Sequence, residues 1–539
     1  MIRTYKAIVL AAFAALMSSA HVSAKPLEMD QATVADLGAA FAAGTLTSEK
    51  LVELCLARIS AYDRQGPKLH AIITLNAKAL ETARALDAER KAKGPRSPLH
   101  GIPVVLKDNY DTFDLPTTGG SVLLEGSQPA KDAFVVKKLR DAGAIILAKV
   151  NLSEFASPPA RSSIGGQSLN PHDLARAPGG SSGGTGVAIA AGYAPLGMGT
   201  DTGGSIRQPV AANGIVGLKP THGLLSRNGI IPLALSFDTG GPMTRSVYDS
   251  AAMLSVMTGV DSGDDATKKS QGKIQPDYTK FLKADSLKGA RIGIARDFTG
   301  IDPDVDWAVE SAVVALKKAG ATVVEVLFPK WFLDAKGEFL GAMIQPEFNA
   351  QLTTYLSALG PKYPHSMVEL LDRAYAYNGL GADEVGPNPS RWAGFKRALN
   401  SGTLEDYRYT SIRDQALPMS RAIVDGMLAA DKLDTMIYPT SPARTPLIAA
   451  PGGGATASPT NIANLTGFPD LIVPAGFTGD GLPVTLSFFG PAFSEPKLFA
   501  LGYAFEQATH AIRRPVHTPA LKDALIEIPD VKVAAGAGR

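Results

Sequence analysis

The 539-residue chain is 45% hydrophobic and 19% charged, a globular balance that excludes a disordered or low-complexity protein. Its net charge is +2, and without Arg3 and Lys6 the chain carries 51 basic and 51 acidic residues, so the electrostatic case for a nucleic-acid partner is gone. A single cysteine, Cys55, excludes an internal disulfide, leaving the core to hold the fold together.

Arg3 and Lys6 precede an apolar run, Ala7 to Met17, and small residues ending Val22-Ser23-Ala24 follow. That is the plan of a secretory signal peptide over 1–24, cut after Ala24. The apolar run, 11 residues, is too short to span a bilayer, and no other approaches 18. The expectation is an exported protein, periplasmic or secreted, with no membrane contact once the signal is cut; a buried N-terminal helix is the alternative.

Residues 31–62 read as two helices, with an N-cap at Thr33, a stop at Gly44 and a new cap at Thr47. Cys55 falls on helical apolar spacing, as a packed thiol would. A helix follows over 76–93, and then Pro95, Pro98, Gly101 and Pro103 break the chain. The run Val104-Val105-Leu106-Lys107-Asp108-Asn109 reads as a buried strand. Helix 134–142 and strand 143–149 complete a β-α-β alternation, the signature of parallel strands in an α/β sheet. Further on come a helix of small residues from Gly186 to Tyr193, a short strand from Leu196 to Gly199 and a helix over 246–258. Strands at 291–295 and 321–326 bracket a helix at 305–319, residues 335–425 are aromatic-rich and mostly helical, and 435–439 and 471–474 read as strands. The expected organisation is one catalytic domain over 25–525 and a frayed tail over 526–539, rich in Ala, Gly and Val.

The chemistry concentrates in Ala177-Pro178-Gly179-Gly180-Ser181-Ser182-Gly183-Gly184 and Gly203-Gly204-Ser205-Ile206-Arg207-Gln208-Pro209. Glycines there let backbone N–H groups approach a ligand, and serines at such turns are nucleophiles or hydrogen-bond partners. Gly180-Ser181-Ser182-Gly183-Gly184 matches the G-x-S-x-G elbow, but a loop and not an apolar strand precedes it. Of the histidines that could complete a Ser-His-Asp triad, only His222 is near, and nothing local orients it. The S-x-x-K matches at Ser270/Lys273 and Ser494/Lys497 lack the companion motifs of penicillin-binding enzymes. There is no zinc helix motif, cysteine cluster or Walker loop, so neither metal nor cofactor is expected. Lys107, judged from its own run, reads as a salt-bridged structural lysine or a desolvated base.

Taken together, Gly179 to Gly184 and Gly199-Thr200-Asp201-Thr202-Gly203-Gly204-Ser205-Ile206-Arg207-Gln208-Pro209 resemble the amidase signature family. The blocks Leu99 to Asn109, Gly214 to Thr221, Asp238 to Met243, Pro439-Thr440 and Asn464 to Pro469 extend the resemblance over the whole chain beyond the signal. It implies a single-domain α/β/α sandwich with a large mixed central sheet, and a Ser-cisSer-Lys triad without metal or cofactor. By position, Ser205 is the nucleophile, Ser181 the relay with a cis peptide, and Lys107 the base. The N–H groups of Thr202, Gly203, Gly204 and Ser205 form the implied oxyanion hole, while Ser182, Asp201 and Arg207 support the loop. The implied reaction is amide hydrolysis through a Ser205 acyl-enzyme, acting on a small-molecule or short-peptide amide as a monomer or homodimer. A carbamate or aryl-ester hydrolase of the same fold is the alternative, and a non-catalytic binding protein a more remote one. Within the family the chain resembles exported peptide amidases, the export signal arguing against the tRNA-dependent transamidase role. Specificity is expected from Ser153 to Ser168, Leu235-Ser236-Phe237 and the 335–425 segment, whose apolar content favours an acyl or aryl group.

Overall fold

The computed structural model describes residues 24–377, 386–449, 458–522 and 524–529. The expected signal peptide, apart from Ala24, lies outside the described residues. In chain order the strands are β1 (Ala24–Glu28), β2 (Ile72–Leu75), β3 (Pro103–Lys107), β4 (Ile145–Val150), β5 (Leu196–Asp201), β6 (Val216–Lys219) and β7 (Thr239–Thr244). They continue with β8 (Arg291–Ala295), β9 (Thr322–Val326), β10 (Thr435–Pro439), β11 (Asp470–Phe477), β12 (Pro483–Phe489) and β13 (Leu525–Pro529). Eleven of them form one sheet in the order β2-β4-β3-β5-β7-β6-β11-β12-β10-β8-β9.

The sheet is mixed. β3 runs parallel to both β4 and β5, and β8 parallel to both β9 and β10, whereas β5, β7, β6, β11, β12 and β10 are joined by antiparallel pairings. The two parallel groups are the two β-α-β units legible in the sequence. All five residues of β3 and all six of β4 and β5 are buried, as expected of strands covered on both faces. The helices begin where capping chemistry predicts. Thr33 and Asp36 make a reciprocal capping box ahead of Val34–Ala43, and the Thr47 hydroxyl accepts the Lys50 N–H ahead of Ser48–Ile59. Cys55 is buried in the latter helix, and burial pushes its thiol up to about 12.

Two elements differ from the sequence expectation. β7, Thr-Gly-Gly-Pro-Met-Thr, holds two glycines and an interior proline, residues depleted from strands, yet it lies in the middle of the sheet. The reason is close approach: a Cβ on Gly241 would lie 2.1 Å from the Leu218 carbonyl oxygen. The expected tail is also shorter than 526–539, because Leu525–Pro529 pairs antiparallel with Ala24–Glu28 in a separate two-stranded sheet. Backbone pairing orders residues that composition alone marks as loose; residues 530–539 lie outside the described residues.

The aromatic-rich segment is helical over Lys330–Ser357, Met367–Ala376, Pro389–Leu399, Tyr407–Ser411 and Leu417–Ala430. Its side chains build two apolar clusters apart from the main core. One surrounds Phe237, Phe332, Met343 and Tyr438, and the other Phe155, Phe348, Trp392 and Phe395. Among the described residues, no helix is long and apolar enough to cross a membrane.

Candidate active site

Lys107 closes β3, and the parallel pairing with β5 sets Leu106 opposite Met198, which brings Lys107 beside the end of β5. This is the carboxyl edge of parallel strands, where α/β sheets carry their ligands. The Lys107 side chain is fully buried. Its Nζ lies 2.7 Å from Ser181 Oγ, 2.7 Å from Thr200 Oγ1 and 3.4 Å from the Thr200 carbonyl oxygen. Burial pushes its pKa down to about 7, against the opposing pull of the Asp201 and Asp238 carboxylates. Those three contacts suit a neutral amine. Nζ thus has three oxygens within hydrogen-bond reach, and one of them, Ser181 Oγ, carries a proton that the neutral amine can accept. Asn109 Nδ2 also donates to Thr200 Oγ1 (3.0 Å), holding that hydroxyl in place.

The two serine arms are laced together. Ser181 follows a cis peptide bond from Gly180, as the resemblance implies. Its carbonyl accepts the Ser153 N–H (2.9 Å), and the Ser182 N–H donates to the Ser205 carbonyl (3.1 Å). The Ser182 hydroxyl donates to the Thr200 carbonyl (3.2 Å) and accepts the Thr200 N–H (3.3 Å). Ser182 thus braces the residue that holds Lys107.

Asp201, the last residue of β5, gathers the next turn around its carboxylate. It accepts N–H bonds from Gly204 (2.9 Å), Ile206 (3.0 Å) and Arg207 (3.4 Å), with Arg207 Nε at 3.1 Å, Nη2 at 3.0 Å and Asn464 Nδ2 at 2.9 Å. Burial alone would raise its pKa, but the Arg207 charge and hydrogen bonds and the Asn464 amide outweigh that and hold the carboxyl below the usual range. Arg207, itself fully buried, reaches on to the Thr460 carbonyl (2.7 Å), Asp470 (3.1 Å) and the Asn464 amide oxygen (2.6 Å). Asp201 and Arg207 thus brace the loop, and the network continues into the Asn464 block.

The loop departs from the expected oxyanion donors at one position. The Gly204 N–H is already given to Asp201, because the chain turns there with φ +122° and folds back over the strand end. Among the described residues, the N–H groups of Thr202, Gly203 and Ser205 have no acceptor. Thr202 is fixed by its hydroxyl, which donates to Asp238 Oδ1, while Asp238 Oδ2 accepts the N–H groups of Leu233 (2.9 Å) and Ala234 (3.0 Å). Ser205 is half-buried, and its hydroxyl has no partner among the described residues. Lys107 and Ser181 are therefore joined, whereas the Ser181–Ser205 bond is not made; catalytic hydrogen bonds of this kind tighten when substrate arrives. A cavity of about 10 Å³ lies behind Thr200 and Thr202, lined by Asn109 and Asp238 as well. It has room for about one water molecule.

The family model described as Amidase matches residues 50–499. The chain belongs to the amidase family. Its relatives include a glutamyl-tRNA(Gln) amidotransferase subunit from Halorhodospira halophila, 37% identical over 495 residues that make up 89% of this chain and 98% of that protein. Among solved structures, the native peptide amidase from Stenotrophomonas maltophilia superposes with a TM-score of 0.81 at 38% identity, covering 91% of this chain and 99% of that one. The corresponding glutamyl-tRNA(Gln) amidotransferase subunit from Thermotoga maritima gives 0.68 at 27% identity, over 94% and 99%. The mixed sheet with flanking helices is the amidase fold, and this amidase acts on amide C–N bonds.

The residues that reasoning from sequence did not single out are Thr200, Asn109, Asp238, Thr460 and Asp470. Each lies inside or beside a motif block, but only the pairing of β3 with β5 shows that Thr200 faces Lys107. The three proposed specificity segments make different contacts around the signature loop, and the 335–425 segment reaches it through Leu340, which stands against Gly203. Ser153 touches the Ser181 carbonyl, and Leu235-Ser236 is clamped by the long helix, the Leu235 N–H on Gln351 (2.8 Å) and the Ser236 N–H on Glu347 (2.9 Å). Pro389–Leu399 packs on the Glu154 carboxylate through Trp392 Nε1 (2.8 Å), next to Ser153.

Proposed function

We propose that this amidase is exported and hydrolyses carboxylic or short-peptide amides by acyl transfer to Ser205. The observation that carries the reading is a fully buried Lys107, 2.7 Å from Ser181 and, among the described residues, in contact with no carboxylate. A neutral Lys107 takes the Ser181 hydroxyl proton while Ser181 takes that of Ser205, whose oxygen attacks the amide carbonyl. The N–H groups of Gly203 and Ser205, with that of Thr202, are aimed at the developing oxyanion; losing one such donor raises the barrier by about 3–4 kcal/mol. The relay returns its proton to the departing amine, leaving an acyl-enzyme that water cleaves by the same steps in reverse order. No metal or cofactor enters.

Two lines support the rest. The basic start, apolar run and Val22-Ser23-Ala24 end have the form of an export signal, and cleavage after Ala24 leaves Lys25–Glu28 to pair with β13. Likeness to peptide amidases over nearly the whole chain favours peptide-type amides; an exported protein would be parted from the aminoacyl-tRNA named for its transamidase relatives. The test is a panel of C-terminal peptide amides, aliphatic amides, anilides, carbamates and aryl esters against wild type and Ser205→Ala. Turnover lost in the variant, with unchanged circular dichroism and a trapped acyl adduct on wild-type Ser205, is expected; near-normal variant rates would sink the assignment. N-terminal sequencing of the periplasmic or secreted protein should begin at Lys25, and a chain retaining Met1 would remove the export reading.

A further inference from the structure

Over residues 201–206 Gly203 and Ser205 keep appreciable surface, while Asp201, Thr202, Gly204 and Ile206 are buried. Whatever stands against Gly203 therefore borders the space where a carbonyl meets Ser205. A Cβ built on Gly203 would lie 3.2 Å from Leu340 Cδ2, and the next atom, Asn461 Oδ1, stands at 3.9 Å. Leu340 comes from the long helix Lys330–Ser357, remote in sequence from the signature.

One turn earlier on that helix, at the i−4 position that shares its face, is Lys336. Its Nζ donates to the Ser458 carbonyl (2.9 Å). Ser458 Oγ pairs with Thr460 Oγ1 (2.8 Å), and Thr460 Oγ1 donates to the Gly203 carbonyl (3.0 Å). Lys336 is thus linked to the same glycine by a short chain of hydrogen bonds. It is half-buried, and among the described residues no carboxylate pairs with it. An ammonium carries three N–H donors, and among the described residues this one spends a single donor.

We propose that Leu340 and Lys336 form a substrate-selecting wall, Leu340 limiting the width of the group that lies against Gly203 and Lys336 holding a carbonyl oxygen of the substrate beyond it. The class so selected is acylamino or short-peptide amides with a compact apolar group beside the scissile carbonyl, over simple aliphatic amides that offer no second acceptor. The wall rests on the Ser205 acyl-transfer reading and adds the identity of the residues that choose the substrate.

The experiment compares kcat/KM over amides paired to differ in one feature: a compact or bulky group on either side of the scissile bond, and the presence or absence of a peptide carbonyl. Leu340→Ala should raise the bulky-to-compact ratio about tenfold or more, and Leu340→Phe should lower it. Lys336→Met should raise KM about tenfold for substrates with the extra carbonyl and leave those without it unchanged. Leu340→Met, which conserves volume, keeps the size test available if Leu340→Ala does not fold, since its thinner, unbranched tip should still shift the ratio. Selectivity ratios within twofold of wild type in the folded Leu340 and Lys336 variants would overturn the wall. Ser205→Ala separates the two failures: inactive Ser205→Ala with unchanged selectivity in the wall variants condemns the wall alone, whereas active Ser205→Ala condemns the acyl-transfer reading beneath it.

Discussion

Lys107 and Lys219 invite comparison because so much about them is the same. Each ends a strand, each side chain is fully buried, and each is pushed down to about 7, Lys107 by burial and Lys219 by burial together with the Arg207 charge. Their partners differ. Lys219 Nζ donates to the Pro220 carbonyl (3.0 Å) and the Phe468 carbonyl (2.9 Å), neither of which has a proton to give. Lys107 meets a serine hydroxyl on one side and the two oxygens of Thr200 on the other. A lowered pKa supplies a neutral amine; a removable proton at hydrogen-bond distance makes that amine a base.

The largest expected effect tests the comparison directly. Lys107→Met should lower kcat/KM for a short amide by about a thousandfold or more, alongside Ser205→Ala, because triad members act as a unit. Lys219→Met should stay within about tenfold of wild type while losing about 1–3 kcal/mol of stability for two buried carbonyls left unpaired. Equal loss of activity in both lysine variants, with both folded, would erase the distinction. Next in size is Thr200→Val, which removes the acceptor shared by Lys107 and Asn109. A fall in kcat of about 10–100-fold is expected, with a displaced pH profile, and Thr200→Ser should restore both.

The pH profile sharpens the same point. Activity needs the neutral Lys107, so kcat/KM should fall about tenfold per unit below about pH 7 and level off above it. Lys219→Met should keep that limb in place; a limb that moved with Lys219 would assign the titration to the wrong residue. The smallest effect is on stability. Each lysine stays protonated to about pH 10.5 in the unfolded chain and loses its proton at about 7 when folded. Between those values the unfolded state binds more protons, so these groups make stability rise with pH. Denaturant unfolding at pH 7 to 10 should show that rise, flattened in both Lys107→Met and Lys219→Met although only one of them is inactive.

Much of the fold was legible because local chemistry and tertiary demand agree. The valines and leucine of β3, the caps at Thr33 and Thr47, and the β-α-β runs around 134–150 and 291–326 each signal one structure, and each forms it. β7 was not legible: glycines and an interior proline argue against a strand, and the need for Gly241 comes from Leu218 on the neighbouring strand and that for Gly240 from the Tyr110 hydroxyl. The Gly204 N–H shows the same limit, since the resemblance that implies it as an oxyanion donor does not say that Asp201 claims it. Within the tail expected over 526–539, residues 526–529 read as loose because their partner strand is about five hundred residues away.

What the sequence determined by itself was the fold class, an alternating α/β chain, and the motif blocks, holding Lys107, Ser181 and Ser205, that carry its likeness to the amidase family. Side-chain chemistry and short-range periodicity travel with the residues themselves. What only the tertiary structure decided was which of two buried lysines meets a hydroxyl, which backbone donors are left over, and which helix stands over Gly203. Those are matters of ångström-scale contact between β3, β5 and a helix from far along the chain, and hydrogen bonds within 3 Å follow from packing that no local window contains.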